Sequence, residues 1–242
     1  LGNRLLSMDF GIYPTMFDYC LAMALLYFKE QKCDVVILET GLGGTYDSTN
    51  ACGVPDVTVI AKIGFDHMAI LGDTLAKIAA EKAGIIKHGT ALVLESQEKE
   101  AMDVLNKAAE RADIKTIKVV NLDEIRILPQ KDGKQCFSYA GYDAVTMKML
   151  GVHQYENAVA AMLAAELFFE KYFAGKKNVP ERKALQHAIR EGIDRTQWMG
   201  RMELVSNDPF FLMDGAHNSN GVEALKKSLE TMYLAEKIHF IL

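Results

Sequence analysis

Residues 56–95, DVTVIAKIGFDHMAILGDTLAKIAAEKAGIIKHGTALVLE, predict a strand, a helix and a second strand in succession. Residues 56–63 are apolar almost throughout, which is typical of a strand buried on both faces of a parallel sheet. A helix capped by Asp73 is predicted over residues 73–83, and a strand over residues 91–95. Two strands joined by a helix favour parallel pairing, so this stretch predicts an α/β sheet.

The flanking sequence continues the alternation in both directions. Upstream, the patterns predict a helix over residues 14–29 and a short β-branched strand over residues 33–38. Downstream, they predict a helix over residues 98–112 and a strand over residues 116–121. The whole pattern is that of a mostly parallel, doubly wound sheet with helices on both faces.

A different pattern of secondary structure follows this region. Residues 124–150 read as short antiparallel strands, and two helices are predicted over residues 157–173 and 181–192. We assign residues 1–196 to this first domain. After Trp198 the alternation restarts, and residues 197–242 are interpreted as the beginning of a second, Rossmann-like α/β domain with an open parallel sheet. Its predicted elements are strands 202–205 and 210–213, a helix over 222–234 and a strand near Ile238.

Composition and charge exclude several classes of protein. Half of the 242 residues are hydrophobic, and a net charge of -5 provides no basic surface for nucleic acid. No apolar run has the length of a membrane span, and the four cysteines form no CxxC pair. We expect a cytoplasmic protein that binds neither membranes nor nucleic acid.

Polar side chains follow three of the predicted strands. Glu39 precedes the turn Gly41-Leu42-Gly43-Gly44, where glycines allow backbone amides to approach a ligand, although an ordinary tight turn has the same composition. Asp66 and His67 end the next strand and could hold Mg²⁺ together with Glu39, although a lone histidine is more often structural. Asp214 begins a similar turn, suited to ribose and phosphate or simply to joining a strand to a helix.

Lys82 lies in a mostly apolar helical stretch, where burying its ammonium group would be costly. Its stem could follow the apolar surface while its charge pairs with Glu81 or another acid. A covalent modification that removes the positive charge is the alternative. We expect Glu39, His67 and Lys82 to converge on one edge of the sheet.

Taken together, these segments resemble one family, the folylpolyglutamate and dihydrofolate synthases of the Mur ligase superfamily. GLGGTYDSTN (41–50) resembles the family's GLGGRLDATN, and residues 63–89 resemble its DH…LG.TL..IA.EKAGIIK.G signature. HQYENA (153–158), GRMELV (200–205) and DGAHNSNG (214–221) follow in the family's order. The resemblance covers residues 15–220 and implies a P-loop-NTPase-like central domain.

The resemblance also implies a reaction. ATP converts a folate or dihydropteroate carboxylate to an acyl phosphate, and L-glutamate attacks it to form an amide. Glu39 and His67 are implied as Mg²⁺ ligands, and Lys82 as a lysine carbamylated by CO₂. The pteroate pocket is implied for Thr15, Phe17, Asp18, Tyr46, Asp47 and Ser48. ATP contacts are implied for Asn157, Arg201, Asp214, Gly215, Ala216 and His217. Lys82, Arg201 and His217 are implied to be catalytic.

Three departures from the family pattern accompany these matches. The family's Gly-rich phosphate loop is absent, Thr45 replaces an arginine, and Asp18 replaces a longer acid. We therefore expect a fragment that neither hydrolyses ATP nor ligates glutamate, since that loop holds the triphosphate. The full-length protein is expected to be a monomer. The alternatives are another Mur-type ligase, acting on peptidoglycan precursors or cyanophycin, and a non-catalytic remnant that only binds its ligand.

Overall fold

The computed structural model describes residues 14–233 and 237–241. The helices of this part are α1 (Met16–Glu30), α2 (Met68–Leu71), α3 (Leu75–Ala83), α4 (Lys99–Arg111), α5 (Gln154–Phe173), α6 (Arg182–Arg195) and α7 (Ser219–Met232). The strands are β1 (Val57–Ile60), β2 (Ala91–Leu94), β3 (Ile117–Val119), β4 (Arg126–Lys131), β5 (Lys134–Tyr139), β6 (Tyr142–Met147), β7 (Glu203–Asn207) and β8 (Phe210–Met213). Short 3₁₀ turns cover Ser48–Ala51 and Leu122–Glu124.

The central sheet is parallel, in the order β1-β2-β3. Strand β2 is fully buried, and its side chains alternate between two cores. Leu92 and Leu94 pack with α3 and α4, whereas Ala91 and Val93 face α5. Helices therefore cover both faces of the sheet, which confirms the predicted doubly wound α/β fold.

The antiparallel sheet predicted within residues 124–150 is formed by β4, β5 and β6. Phe137 on β5 is fully buried and meets the ring of Tyr155 on α5 edge to face. Lys134 donates to both carboxylate oxygens of Asp194 on α6, at 2.7 and 2.8 Å. The β4–β6 sheet is thus attached to both α5 and α6.

The β7–α7 segment (residues 203–232) differs from the sequence expectation. Strands β7 and β8 pair antiparallel, so the expected parallel arrangement was wrong for these two strands. They are joined by a tight turn, and such a short connection permits only antiparallel pairing. Residues 237–241 form no strand, so the strand predicted near Ile238 is not observed there.

Two further local predictions were wrong. Residues 33–38 form no strand, because no neighbouring strand in the described part of the chain pairs with them. Helix α3 is capped by Thr74, whose hydroxyl accepts the Lys77 amide at 3.2 Å. Asp73 instead forms an ion pair with the Lys77 ammonium group at 2.7 Å. Across residues 14–233 and 237–241, the helices are too short or too polar to cross a bilayer.

Candidate functional site

The Gly41–Gly44 turn packs directly against the end of α3 that carries Lys82. A Cβ on Gly44 would lie 2.6 Å from the carbonyl oxygen of Glu81 and 3.1 Å from Cα of Lys82. The Thr45 amide also donates to the Glu81 carbonyl oxygen at 2.9 Å. Only a residue without a side chain fits at Gly44, so the glycine-rich sequence brings the turn after Glu39 into contact with the Lys82 backbone.

Glu39 and Lys82 differ from Asp18, Asp47 and Asp214, the three aspartates predicted for the site. Glu39 is exposed and Lys82 is half-buried. Within the described ranges neither side chain forms a hydrogen bond or a salt bridge, so the predicted pairing of Lys82 with Glu81 is not observed. Both charged groups are therefore available to a ligand.

Asp47 organises the turn from within. Its Oδ2 accepts the amides of Gly41 and Leu42 at 2.9 and 3.0 Å, and its Oδ1 accepts the Thr49 amide and hydroxyl. Partial burial raises the pKa of Asp47, but these hydrogen bonds outweigh it and hold the pKa below its usual value. Asp47 was predicted to bind pteroate, yet both its oxygens already bond to the protein.

Thr15, Asp18 and Ser48 form one hydrogen-bonded group beside this turn. Asp18 accepts the Thr15 amide at 2.8 Å and the Thr15 hydroxyl at 2.7 Å, and the Ser48 hydroxyl donates to its other oxygen. The hydrogen bonds from Ser48 and Thr15 lower the pKa of Asp18. Four of the six residues predicted for the pteroate pocket, Asp47 included, thus lie in adjoining hydrogen-bonded groups.

The two aromatic residues predicted for the pocket have different environments. The Phe17 ring lies against the turn, because a Cβ on Gly41 would be 3.1 Å from its Cε2. Tyr46 is 90% exposed. Phe17 therefore contributes an apolar wall beside the turn, whereas Tyr46 points into solvent.

Asp66 forms hydrogen bonds both to His67 and to the turn that begins at Asp214. His67 has the left-handed conformation, with φ of 48°, and its amide donates to Asp66 Oδ1 at 2.8 Å. Asn218 donates to Asp66 Oδ2 at 2.7 Å. Partial burial raises the pKa of Asp66, but these hydrogen bonds and the two nearby histidines, His67 and His217, lower it overall. The segments that follow β1 and β8 are therefore linked by a direct hydrogen bond.

The residues predicted to contact ATP lie around the Asp214 turn and the start of α5. Asp214 accepts the amides of Met202 and Ala216, both at 2.8 Å, and Gly215 donates to the Gly200 carbonyl oxygen at 2.7 Å. Arg201, between Gly200 and Met202, is exposed. This network fixes the turn, and it occupies both oxygens of the carboxylate predicted to bind ribose.

His217 and Asn157 are held by neighbours in the same region. Nδ1 of His217 lies 2.8 Å from the Gly215 carbonyl oxygen. The side-chain Nδ2 of Asn157 donates to Oε1 of Gln154 at 2.9 Å. His153 is largely buried, and its Nδ1 has no partner in the described structure. Burial lowers the pKa of His153, the Asp214 charge opposes this effect and the Arg201 charge adds to it. The net effect lowers the pKa of His153.

Sequence reasoning assigned no role to Glu95, which directly follows β2. Glu95 is 3% exposed and accepts the Lys62 amide at 2.6 Å. Burial raises the pKa of Glu95 to about 7, the Lys62 amide opposes this effect and the nearby Glu156 charge adds to it. Its position directly after a wholly apolar strand was the signal that could have identified it.

Comparison with known proteins identifies what this geometry resembles. Residues 14–165 match the Mur ligase middle domain. The chain is 38% identical to the dihydrofolate synthase/folylpolyglutamate synthase of Bacillus subtilis, over 94% of this chain and 52% of that protein. It is 36% identical to a folylpolyglutamate synthase of Arabidopsis thaliana, over 88% of this chain and 37% of that protein. The chain thus spans about half or less of the length of these relatives.

Solved structures give the same result. The chain superposes on a folylpolyglutamate synthase complex with AMPPCP and folate with a TM-score of 0.85 and 26% identity, over 98% of this chain and 56% of that one. The TM-score is 0.75, with 31% identity, for the Mycobacterium tuberculosis folylpolyglutamate synthase complexed with ADP, over 89% of this chain and 47% of that one. Because the middle-domain match covers more than half of the residues, the chain belongs to the Mur ligase family.

Proposed function

We propose that this chain forms part of an ATP-dependent ligase that joins L-glutamate to a folate or dihydropteroate carboxylate. The observation that carries the proposal is the adjoining arrangement of Thr15, Asp18 and Ser48 with a glycine-rich turn that packs on Lys82. Relatives that are 38% and 36% identical to this chain are named dihydrofolate synthase/folylpolyglutamate synthase and folylpolyglutamate synthase. The activity is proposed for the whole protein, of which the 242 residues are the part described.

Pteroate recognition is proposed for the pocket beside the Gly41–Gly44 turn. Phe17 offers an apolar ring for stacking, and Asp18 Oδ1, which among the described residues accepts only the Ser48 hydroxyl, can accept a further hydrogen bond from an N–H group of a pterin. Asp47 is proposed to act indirectly, because each of its oxygens already accepts two hydrogen bonds that hold the turn in shape. The Asp18 and Ser48 pair is therefore the part of the pocket with which a pterin would bond.

We propose Glu39 and His67 as ligands of a magnesium ion, which the phosphates of ATP would also have to bind, because the described residues contain no group of three or more His, Cys, Asp or Glu side chains that could hold a metal. The Glu39 carboxylate is exposed and has no partner in the described part of the chain. Mg²⁺ is commonly bound by one or two protein groups, with substrate phosphates and water completing the shell, so a larger cluster of ligands is not required. Bound Mg²⁺ would supply positive charge to the phosphate oxygens during transfer.

Arg201 and His217 are proposed to contact the phosphate oxygens of ATP. Arg201 is exposed beside the Asp214 turn, and the His217 ring is held at Nδ1 by the Gly215 carbonyl oxygen, which leaves Nε2 free. Both can approach a phosphate without rearranging the turn, which is the benefit of a preorganised site. Asn157 is proposed to contact adenine. Carbamylation of Lys82, which has no salt bridge among described residues, would convert it to an anionic group.

A ligation assay with a panel of acceptors tests the proposed function. The whole protein would be incubated with ATP, Mg²⁺ and labelled L-glutamate, together with dihydropteroate, tetrahydrofolate, a peptidoglycan precursor or a cyanophycin primer. We expect glutamylated products only from the first two acceptors, detected by mass spectrometry, with ADP and phosphate released. Product from the peptidoglycan or cyanophycin acceptor, or pteroate binding without any product, would contradict the assignment.

A further inference from the structure

Asp66 divides its two carboxylate oxygens between two parts of the molecule. Oδ1 accepts the amide of His67 at 2.8 Å, within the stretch that follows β1. Oδ2 accepts the side-chain amide of Asn218 at 2.7 Å, from the β7–α7 segment. A single carboxylate therefore joins the backbone of His67 to the turn that carries His217.

Asn218 is itself held in place on the other side. Its Oδ1 accepts the Gly221 amide at 2.8 Å and caps α7, so its Nδ2 is directed by the helix toward Asp66. Asn220 adds a second contact, donating to the Phe65 carbonyl oxygen at 3.1 Å. A Cβ on Gly64 would lie 2.1 Å from Nδ2 of Asn220, so a side chain at this position would force Asn220 to move.

Helix α7 has a second attachment to the first part of the chain. Ser228, which is fully buried, accepts the Val152 amide at 3.0 Å. Ten residues separate Asn218 from Ser228, which is about 15 Å along a helix. Two attachments so far apart fix the direction of α7. If the Asn218 attachment is lost, only the Asn220 contact, among the described residues, holds the start of α7, and the Asp214–His217 turn, which lies at that end, is the part most released.

We infer that Asp66 is a positioning residue that sets the placement of the Asp214–His217 turn relative to His67. The consequence for catalysis rests on the proposed function, because it assumes that His67 and His217 serve one reaction. The positional claim does not rest on it. Asp66 would raise the turnover number by aligning His67 with the Asp214–His217 turn, without itself touching the reacting atoms.

A reciprocal exchange tests this inference. Asn218→Asp places a second carboxylate against Asp66 while keeping the cap of α7, and Asp66→Asn places two amide donors against each other. The double variant Asp66→Asn/Asn218→Asp restores a donor and an acceptor with the polarity reversed, and every other hydrogen bond can remain. Asn207→Asp, an exposed change on β7, is the control for added charge.

The first readout is amide hydrogen exchange of residues 214–222 in the 242-residue chain. We expect each single variant to accelerate exchange by about tenfold or more, because a hydrogen bond to a charged group is lost. The double variant should return toward the wild-type rate, and Asn207→Asp should have no effect. Unchanged exchange in the single variants, or a double variant no better than either, would overturn the inference.

The second readout is glutamate ligation by the whole protein carrying the same changes. We expect kcat to fall in the single variants and to recover in the double variant, with KM for the pteroate acceptor little changed. Loss of acceptor affinity without loss of kcat would contradict a positioning role. If exchange follows the expected pattern but no variant and no wild-type protein ligates glutamate, the proposed function fails while the positional inference stands.

Discussion

Residues 35–39 (VVILE) and residues 91–95 (ALVLE) have nearly the same sequence pattern and opposite environments. In β2, Leu92, Val93 and Leu94 are fully buried, whereas Ile37 is 90% exposed. Strand β2 pairs with β1 and β3 and has helices on both faces, while residues 35–38 have no strand partner in the described structure. An apolar, β-branched run thus identifies a candidate strand, but its neighbours decide whether it becomes one.

The largest expected difference between the two segments is in the stability lost when a side chain is truncated to alanine. Leu94→Ala should lower the free energy of unfolding by about 4 kcal/mol, since it opens a cavity in the core shared with α3 and α4. Ile37→Ala should change it by less than about 0.5 kcal/mol. Urea denaturation of both variants measures this. Similar losses in both would mean that residues 35–38 are packed against something in solution.

The glutamates that end the two segments should respond differently to pH. The pKa of Glu95 is raised from 4.5 to about 7, so between these pH values the unfolded chain loses its proton while the folded chain retains it, and stability falls as pH rises. Glu95→Gln removes this penalty, and should stabilise the protein at pH 8 by up to about 3 kcal/mol, from 1.4 kcal/mol per pKa unit.

Measuring the free energy of unfolding of Glu95→Gln at pH 4.5 and pH 8 checks both how large the gain in stability is and how it changes with pH. The gain should be close to zero at the lower pH and reach its full value above about pH 7. Glu39→Gln is the matched control, because it alters the exposed glutamate of the equivalent pattern, and should change stability by less than about 0.5 kcal/mol. A gain from Glu95→Gln that is larger at low pH would refute the account of its burial.

The turn after residues 35–39 provides a smaller test. Gly44→Ala should cost about 2 kcal/mol, because its Cβ would lie 2.6 Å from the Glu81 carbonyl oxygen and force the turn away from α3. Gly192→Ala is the control: no atom lies within 4 Å of its added Cβ, and it lies within α6, where alanine is favoured by up to about 1 kcal/mol. Thermal unfolding of both variants would show whether the turn is packed as described.

The smallest expected effect concerns the start of α3. Thr74→Ala should cost about 1 kcal/mol, because it removes the hydroxyl that accepts the Lys77 amide. Asp73→Ala removes only an exposed ion pair and should cost less than about 0.5 kcal/mol. If chemical denaturation gave the larger loss for Asp73→Ala, the sequence-based assignment of Asp73 as the cap would have been correct.

The sequence was sufficient for β1 and β2 because each apolar run has a neighbouring strand close in the chain. Residues 56–63 and 91–95 are apolar runs separated by a helical pattern, and each became a strand of the predicted sheet. The cap of α3 was misassigned by one residue because Asp73 and Thr74 are both good caps, and only backbone geometry distinguishes them. The antiparallel pairing of β7 and β8 depends on their connection, which the pattern of strands does not specify.

The candidate site was predictable as a set of residues but not as a set of contacts. Motifs identified Asp47 and Asp214, yet sequence cannot reveal that backbone amides occupy their oxygens. The contact between Asp66 and Asn218 spans 152 positions, and the raised pKa of Glu95 arises from burial by distant elements. Convergence of Glu39, His67 and Lys82 on one edge of the sheet stays a prediction.

Equilibrium binding of dihydropteroate to the 242-residue chain tests the central claim most directly, because the proposed pocket around Asp18 and Ser48 lies within the described residues. Calorimetric titration should show one saturable site, weakened at least about tenfold by Ser48→Ala, which removes the hydroxyl bonded to Asp18. Ser206→Ala, in the β7–β8 hairpin, should leave the affinity unchanged. Absence of binding, or equal affinity for the wild-type chain and both variants, would contradict the assignment of this pocket.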